Sequence, residues 1–114
     1  MSVLSNRLKQ ARLNAGLSQE ALGVAAGIDE MSASARMNQY ERGKHHPDFQ
    51  TVERIAKALK YPVEYFFSQD EEVARMLIGF HALDQRGRAQ TLRFVEALVT
   101  ETQSAKTKAA TSKT

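Results

Sequence analysis

Apolar residues recur along most of the chain at intervals of three and four, the spacing of helices that bury one face. The first helix is predicted to bury Leu4, Leu8, Ala11 and Ala15. Gly16 should end this helix, and Ser18 offers the N-cap oxygen of a second helix over residues 19–25. The buried side of the second helix is predicted to consist of Ala21, Leu22 and Ala25. Gly27 is expected to turn the chain with a positive φ.

The third helix is predicted to end near Arg42, whereas its beginning is open. Residues 29–34 are small and polar, so they are expected to form a turn or a loose lead-in, with Ser32 or Ser34 as the cap of the helix. The residues of this helix that should face inwards are Met37 and Tyr40.

Two more helices complete the first part of the predicted fold. Asp48 is a good N-cap for a fourth helix, whose buried stripe is predicted to be Val52, Ile55, Ala56 and Leu59. Pro62 suits the first turn of a short fifth helix that ends at Phe67. Residues 1–67 are therefore predicted to form a five-helix domain.

The character of the sequence changes after Phe67. The acidic residues at 70–72 suit the first turn of a helix that ends near Leu83, and Asp84 can cap a last helix. The apolar stripes of these two helices are Val73, Leu77 and Phe80 on one and Leu92, Val95, Leu98 and Val99 on the other. Residues 68–102 are thus predicted to form a helical hairpin. Residues 103–114 hold only Gln, Ser, Ala, Lys and Thr and are predicted to be a disordered basic tail.

Composition excludes several classes of protein. The chain has no cysteine, which removes disulfides, thiolate catalysis and cysteine-ligated zinc, and suits a reducing compartment. No apolar run approaches the roughly 20 residues of a membrane span. The N-terminus lacks the apolar core of a signal peptide. We therefore expect a cytoplasmic protein with no membrane partner.

The charge of the chain suits a polyanionic partner, because the net charge is +3. The excess is unevenly distributed. Residues 68–102 carry six acids against four bases, so they are the poorest candidates for contact with nucleic acid.

Neither a metal site nor a catalytic site is apparent. His45 and His46 are adjacent, but neighbouring residues rarely point at one ion, and no third ligand follows at a suitable spacing. No nucleophile is paired with a base, and no carboxylate pair has a recognisable spacing. We therefore expect no metal, no cofactor and no enzyme activity.

Four segments, in order and nearly at family spacing, resemble the Xre-type, or lambda-Cro repressor-like, helix-turn-helix DNA-binding family. They are residues 7–12, 16–22, 40–44 and 55–59. The resemblance covers about residues 4–67. It implies an all-α, five-helix lambda repressor-like domain that binds double-stranded DNA, in which one helix crosses the phosphates and the third enters the major groove.

The resemblance implies that the base-contacting positions lie at the start and middle of the third helix. Mapped onto this sequence they are Ser34, Ala35, Arg36, Asn38 and Gln39. Their chemistry suits the task, because Asn and Gln can form paired hydrogen bonds with adenine and Arg can form them with guanine.

The resemblance also implies residues that contact phosphates and residues that form an ion pair. Gln19, at the start of the second helix, is implied to contact a phosphate, as are Lys44 and His45 after the third helix. Arg12 and Glu41 resemble an ion pair that joins the first and third helices. The half-buried position expected for Arg12 would require such a partner.

The sequence departs from the family between Gly27 and Glu41, where it is longer by about four residues, one turn of helix. The extra residues either lengthen the turn or add a helical turn at the start of the third helix. Asp29 and Glu30 would repel phosphates, so we expect them to face away from DNA or to serve as helix-end charges.

The role of the C-terminal stripes is also open. They could fold back on the five-helix domain, or they could pair with a second chain, which would let a dimer read two half-sites. The function we expect is a dimeric repressor that reads an inverted-repeat operator. The alternative is an antitoxin, which would bind a toxin protein and its own promoter.

Overall fold

The computed structural model describes residues 2–112, with side chains described as far as residue 110. Every regular element in that range is a helix, which confirms the predicted all-α fold. In chain order the elements are α1 (Val3–Asn14), α2 (Gln19–Ala25), α3 (Glu30–Glu41), α4 (Phe49–Leu59), a 3₁₀ helix (Val63–Phe67), α5 (Glu71–Ala82) and α6 (Gln85–Ser112).

Side-chain caps begin several of these helices. The hydroxyl of Ser18 accepts a hydrogen bond from the backbone N–H of Ala21 at 3.0 Å, and the carboxylate of Asp48 accepts one from Thr51 at 2.8 Å. Both caps are those that the sequence predicts, and each satisfies a backbone donor that the helix leaves unpaired. The predicted turn at Gly27 is also confirmed, since its φ is +87°.

The core lies between α1, α2, α3, α4 and the 3₁₀ helix. Its largest fully buried apolar side chains are Phe66, Leu8, Leu22, Met37, Ile55 and Val52. The predicted stripe of α4 is correct, with Leu59 partly buried at its edge. In α1, Ala15 is exposed because it lies one residue beyond the last helical residue, so its predicted burial is wrong.

The buried face of α2 differs from the prediction. Ala21 and Ala25 are exposed, and Gly23 and Ala26 are buried beside Leu22. The reason is the close approach of α3. A Cβ placed on Gly23 would lie 2.8 Å from the Cβ of Ala33, so only glycine leaves room for the two helices to touch.

The extra residues of the third helix form helix rather than a longer turn. Asp29 is the N-cap of α3, and its carboxylate accepts a hydrogen bond from Met31 N–H at 3.1 Å. The predicted turn over 29–34 and the predicted caps Ser32 and Ser34 are therefore wrong. Burial of Ala33 against Gly23 explains the result, because it favours helix where local polarity favours a turn. Asp29 and Glu30 do lie at the helix end, as expected.

The chain forms two compact units, one ending at His81 and the other beginning at Ala82. The first unit thus extends beyond residue 67, where the sequence places its end. α5 belongs to this unit because Ala74 is fully buried in the core and Ile78 packs against it.

Arg7 also joins α5 to α1. Its guanidinium donates hydrogen bonds to the carbonyl oxygen of Ser68, from Nε at 3.1 Å and Nη2 at 3.0 Å. Its Nη1 lies 2.8 Å from Oε2 of Glu71, and its Cζ lies 5.1 Å from the centre of the Tyr65 ring. Although burial opposes the charge of Arg7, its interactions with Glu71 and Tyr65 raise its pKa above the ordinary value. In contrast, burial raises the pKa of Tyr65, because it disfavours the charged phenolate.

The second unit contains one long helix, α6. Asp84 caps it as predicted, and its carboxylate accepts a hydrogen bond from Gly87 N–H at 2.7 Å. The helix continues to Ser112, whereas the sequence predicts disorder from residue 103. Alanine, lysine and glutamine in this stretch are good helix formers. The prediction of disorder rests on the lack of apolar residues and does not take this helix propensity into account. No helix among residues 2–112 has the length and apolar character needed to cross a membrane.

Candidate nucleic-acid interface

A tight connection joins α2 to α3. The N–H of Ile28 donates to the carbonyl oxygen of Gly23 at 2.9 Å, and Ile28 itself is buried. Together with the Gly23–Ala33 contact, this fixes the two helices as one unit. A short helix followed by a longer, partly exposed one is the arrangement with which helix-turn-helix domains enter the major groove.

The exposed face of α3 lies opposite its buried residues, which are Ala33, Met37, Tyr40 and Glu41. At about 100° per residue, the residues that face away from the core are Met31, Ala35, Gln39 and Arg42, with Asn38 at the edge. We call these five residues the exposed face of α3. It contains the predicted residues Ala35, Asn38 and Gln39. The sequence does not point to Met31 or Arg42, because it places them in a turn and at the end of the helix.

The other two predicted base-contacting residues lie on the flanks of α3. Ser34 is exposed on one side. Arg36 lies on the other, where its Nη2 donates a hydrogen bond to the hydroxyl of Tyr40 at 2.8 Å and its Cζ lies 5.9 Å from the Tyr40 ring centre. Tyr40 therefore holds the guanidinium of Arg36 beside the helix.

An ion pair joins α1 to α3 behind this face. Arg12 donates to Glu41 through two hydrogen bonds, from Nε to Oε2 at 2.7 Å and from Nη2 to Oε1 at 3.1 Å. Its Nη1 donates to the carbonyl oxygen of Leu17 at 2.9 Å. The side chains of Arg12 and Glu41 are 12% and 3% exposed. The pair therefore fixes α3 relative to α1 from within the domain.

Gln19 extends this network to α2. Its side-chain amide donates to Oδ1 of Asn38 at 3.3 Å and to Oε1 of Glu41 at 3.3 Å. The orientation of the amide follows from chemistry, since its oxygen would meet two acceptors if it were reversed. Gln19 thus orients Asn38 at the edge of the exposed face of α3.

A polar depression of about 580 Å³ opens beside this network. It is lined by Lys9, Arg12, Gln19, Asn38, Glu41 and Arg42. Lys9 and Arg42 are exposed, and Glu41 already neutralises Arg12. Such a rim suits an anion of phosphate size. The sequence gives no signal for Lys9, because nothing in its spacing separates it from any other surface lysine.

The loop after α3 folds back on the helix. The N–H groups of Lys44 and His45 both point to the carbonyl oxygen of Gln39, at 3.0 and 3.4 Å. Both side chains are exposed. The predicted phosphate-contacting residues therefore lie beside the last turn of α3.

The predicted dimer residues lie in both units. On α5, Val73 is exposed and Leu77 and Phe80 are half-buried. On α6, Leu92, Val95 and Val99 are all exposed, as are Phe94 and Leu98 beside them. Within residues 2–112, His, Asp and Glu side chains form no group of three or more that could hold a metal ion.

Comparisons with known proteins agree with this geometry. A family model described as a helix-turn-helix domain matches residues 3–64. The crystal structure of the transcriptional regulator BswR is similar, with 41% sequence identity and a TM-score of 0.79, over 85% of this chain and 96% of that one. No curated protein matches. The chain therefore belongs to the helix-turn-helix domain family, is Xre-like in its motifs, and is a DNA-binding protein.

Proposed function

We propose that the protein is a transcriptional repressor that binds an inverted-repeat operator in duplex DNA as a dimer. The observation that carries the proposal is the exposed face of α3, a row of accessible side chains on a helix that packing and a buried ion pair hold in place. The similarity to BswR, described as a transcriptional regulator, supports the same function.

In this proposal α3 reads the bases. Gln39 is exposed and can form two hydrogen bonds with adenine. The small side chain of Ala35 allows the helix backbone to lie close to the base edges. Asn38 contributes from the edge of the face, where Gln19 orients it. Ser34 and Arg36 contact bases or sugars at the sides of the groove.

The phosphates are bound around this helix. Lys44 and His45 reach the backbone at one end of α3, and Lys9 and Arg42 hold a phosphate in the polar depression. Gln19 is proposed to help there. Its two amide hydrogens point to Asn38 and Glu41, so it must release one of them in order to donate to a phosphate. Because cationic side chains displace counterions, affinity should fall as salt rises.

Dimerisation is proposed to use the apolar residues of α6, supplemented by Val73, Leu77 and Phe80 on α5. Leu92, Val95 and Val99 lie on one side of α6, and all three are exposed in a single chain. A second copy can cover them by two-fold symmetry, the commonest arrangement of homo-oligomers. A dimer would hold two copies of α3 about 34 Å apart, one turn of DNA, or a multiple of that distance.

Selection from random duplex DNA tests the central part of this proposal. The full-length protein is incubated with a randomised library at moderate salt, and bound duplexes are amplified and sequenced through several rounds. We expect an enriched inverted repeat, bound less tightly as salt rises. Failure to enrich any motif over the starting library would contradict sequence-specific binding.

A matched pair of variants tests dimerisation. Val95→Lys places a charge on the apolar side of α6, whereas Ala97→Lys places the same charge on the opposite side, about 200° around the helix. Light scattering should show dimers for the wild type and Ala97→Lys, and monomers for Val95→Lys. A dimer that survives Val95→Lys unchanged would locate the interface elsewhere. A wild-type monomer that forms a stable complex with an unrelated small protein would favour the antitoxin hypothesis.

A further inference from the structure

Met31 is the most exposed large hydrophobic residue among those the structure describes. Met31 is 93% exposed, whereas the other exposed large hydrophobic residues are between 40% and 66% exposed. Single exposed apolar residues are common on protein surfaces. The position of Met31 is what matters, because it lies in the added first turn of α3, on the exposed face of that helix.

The backbone that carries Met31 is held firmly. Asp29 caps the helix by accepting a hydrogen bond from the N–H of Met31 itself. Ile28 is buried just before the cap, and Ala33 is buried against Gly23 just after it. The added turn is therefore a fixed support for a side chain that is itself uncovered.

Met31 is aligned with the residues proposed to read bases. Met31, Ala35 and Gln39 follow one another at intervals of four residues, so they form a row along one side of α3. Each interval is about 6 Å along the helix, and the row therefore spans about 12 Å. Base pairs are spaced about 3.4 Å apart, so the row covers between three and four of them.

The charges next to Met31 in the sequence disfavour a phosphate contact. The nearest charged residues in sequence are Asp29 and Glu30, both exposed and both acidic. A helix end of this kind is repelled by the DNA backbone, while the N-terminal residues of a recognition helix commonly lie over base edges. The only methyl group on the base edges in the major groove is the 5-methyl group of thymine.

Building on the proposed function, we propose that Met31 is a specificity-determining residue that contacts the 5-methyl group of a thymine in each half-site. The unbranched thioether side chain is flexible and polarisable, so it can pack around one methyl group. The added helical turn thus extends the base-reading row beyond Ala35 and Gln39 by one position.

Uracil-substituted operators test this proposal with a change of one methyl group. Each thymine of the selected operator is replaced in turn by uracil, and the affinity of the full-length protein is measured by fluorescence anisotropy. We expect one thymine in each half-site at which the substitution weakens binding roughly 4-fold, the value that corresponds to about 0.8 kcal/mol for one buried carbon. Met31→Ala should bind the thymine and uracil operators equally well.

Met76→Ala is the matched control, because Met76 is an exposed methionine that lies on α5 and not on α3. It should keep the full preference for thymine, and Met31→Leu should keep most of it. The inference is overturned if no uracil substitution matters, or if the preference persists in Met31→Ala. It is also overturned if Met31→Ala leaves DNA binding intact and abolishes binding of a protein partner.

The test separates this inference from the proposed function. If the wild type enriches no operator at all, both are wrong. If an operator is enriched and Gln39→Ala alters it while every uracil duplex binds like its parent, only the role of Met31 is wrong.

Discussion

Glu41→Ala should destabilise the protein far more than the removal of a carboxylate usually does. Glu41 is 3% exposed and accepts both hydrogen bonds that Arg12 directs to α3. Without it, the guanidinium of Arg12 keeps only the carbonyl oxygen of Leu17 as a partner. A buried charge left in this state costs about 3–5 kcal/mol. Domains of this size have a total stability of about 5–15 kcal/mol, so the change is a large fraction of it.

The comparison with Glu71 isolates the effect of burial. Arg7 and Glu71 are 2.8 Å apart, almost the same as the 2.7 Å between Arg12 and Glu41, but the side chain of Glu71 is 65% exposed. Arg7 also keeps its two hydrogen bonds to Ser68 when Glu71 is removed. Glu71→Ala should therefore cost about 1 kcal/mol or less.

The stability of both variants is measured by thermal and urea unfolding, which are followed by circular dichroism. At about 4 °C or more per kcal/mol, Glu41→Ala should lower Tm by at least about 12 °C. The double variant Arg12→Met, Glu41→Leu should recover much of this loss, since it removes both charges and keeps the packing. If Glu41→Ala and Glu71→Ala have the same small effect, the ion pair between α1 and α3 does not hold the domain together, and the reasoning fails.

Two other residues give sharp tests of the fold. Gly23→Ala should lower the free energy of unfolding by about 1–3 kcal/mol, because the new Cβ would lie 2.8 Å from the Cβ of Ala33. Gly79→Ala is the control and should raise that free energy by about 0.4–1 kcal/mol, because a Cβ on Gly79 has nothing within 4 Å. Equal effects of the two substitutions in urea titrations would contradict the close contact between α2 and α3. Hydrogen bonds from Thr51 hold the pKa of Asp48 below its ordinary value of 3.8. The stabilisation by its charge is present above that value and is lost as pH falls through the lower, folded-state pKa. The difference in Tm between the wild type and Asp48→Asn should therefore shrink below about pH 4, and a constant difference would be evidence against the cap.

The stripe of α4 shows what hydrophobic spacing predicts well. Val52, Ile55 and Ala56 are buried as expected, because packing a stripe of apolar side chains into the core removes its surface from water. The face of α2 shows where spacing fails. Gly23 has no side chain to contribute to an apolar stripe. It is buried because it contacts Ala33, ten positions later in the sequence. The spacing of apolar residues within α2 cannot predict a contact with another helix.

The start of α3 differs from the sequence prediction for a related reason. Ser32 has the local chemistry of a cap, and so does Asp29. The choice between them rests on the burial of Ala33, which is a tertiary effect. For the same reason the sequence does not identify Met31 as a residue of the exposed face of α3, because it predicts a turn at that position. The exposure of Ala35 and Gln39 can be predicted because the register of the helix follows from Glu41.

The sequence predicts too short an α6, because composition and helix propensity disagree over residues 103–112. Few apolar residues argue for disorder, whereas alanine and lysine favour helix. A change in composition predicts a domain boundary after Phe67. The contact between Arg7 and Glu71, 64 residues apart, then brings α5 into the first unit.

The most direct test of base reading by α3 repeats the selection from random duplex DNA with Gln39→Ala and Lys44→Ala beside the wild type. Both substitutions remove an exposed side chain, and both residues lie at the same end of α3. Gln39→Ala should lose the preference for one base in each half-site, at a cost of roughly 1–3 kcal/mol. Lys44→Ala should select the wild-type motif with weaker binding to every sequence. If Gln39→Ala selects the wild-type motif at wild-type affinity, α3 does not read the operator in the way proposed.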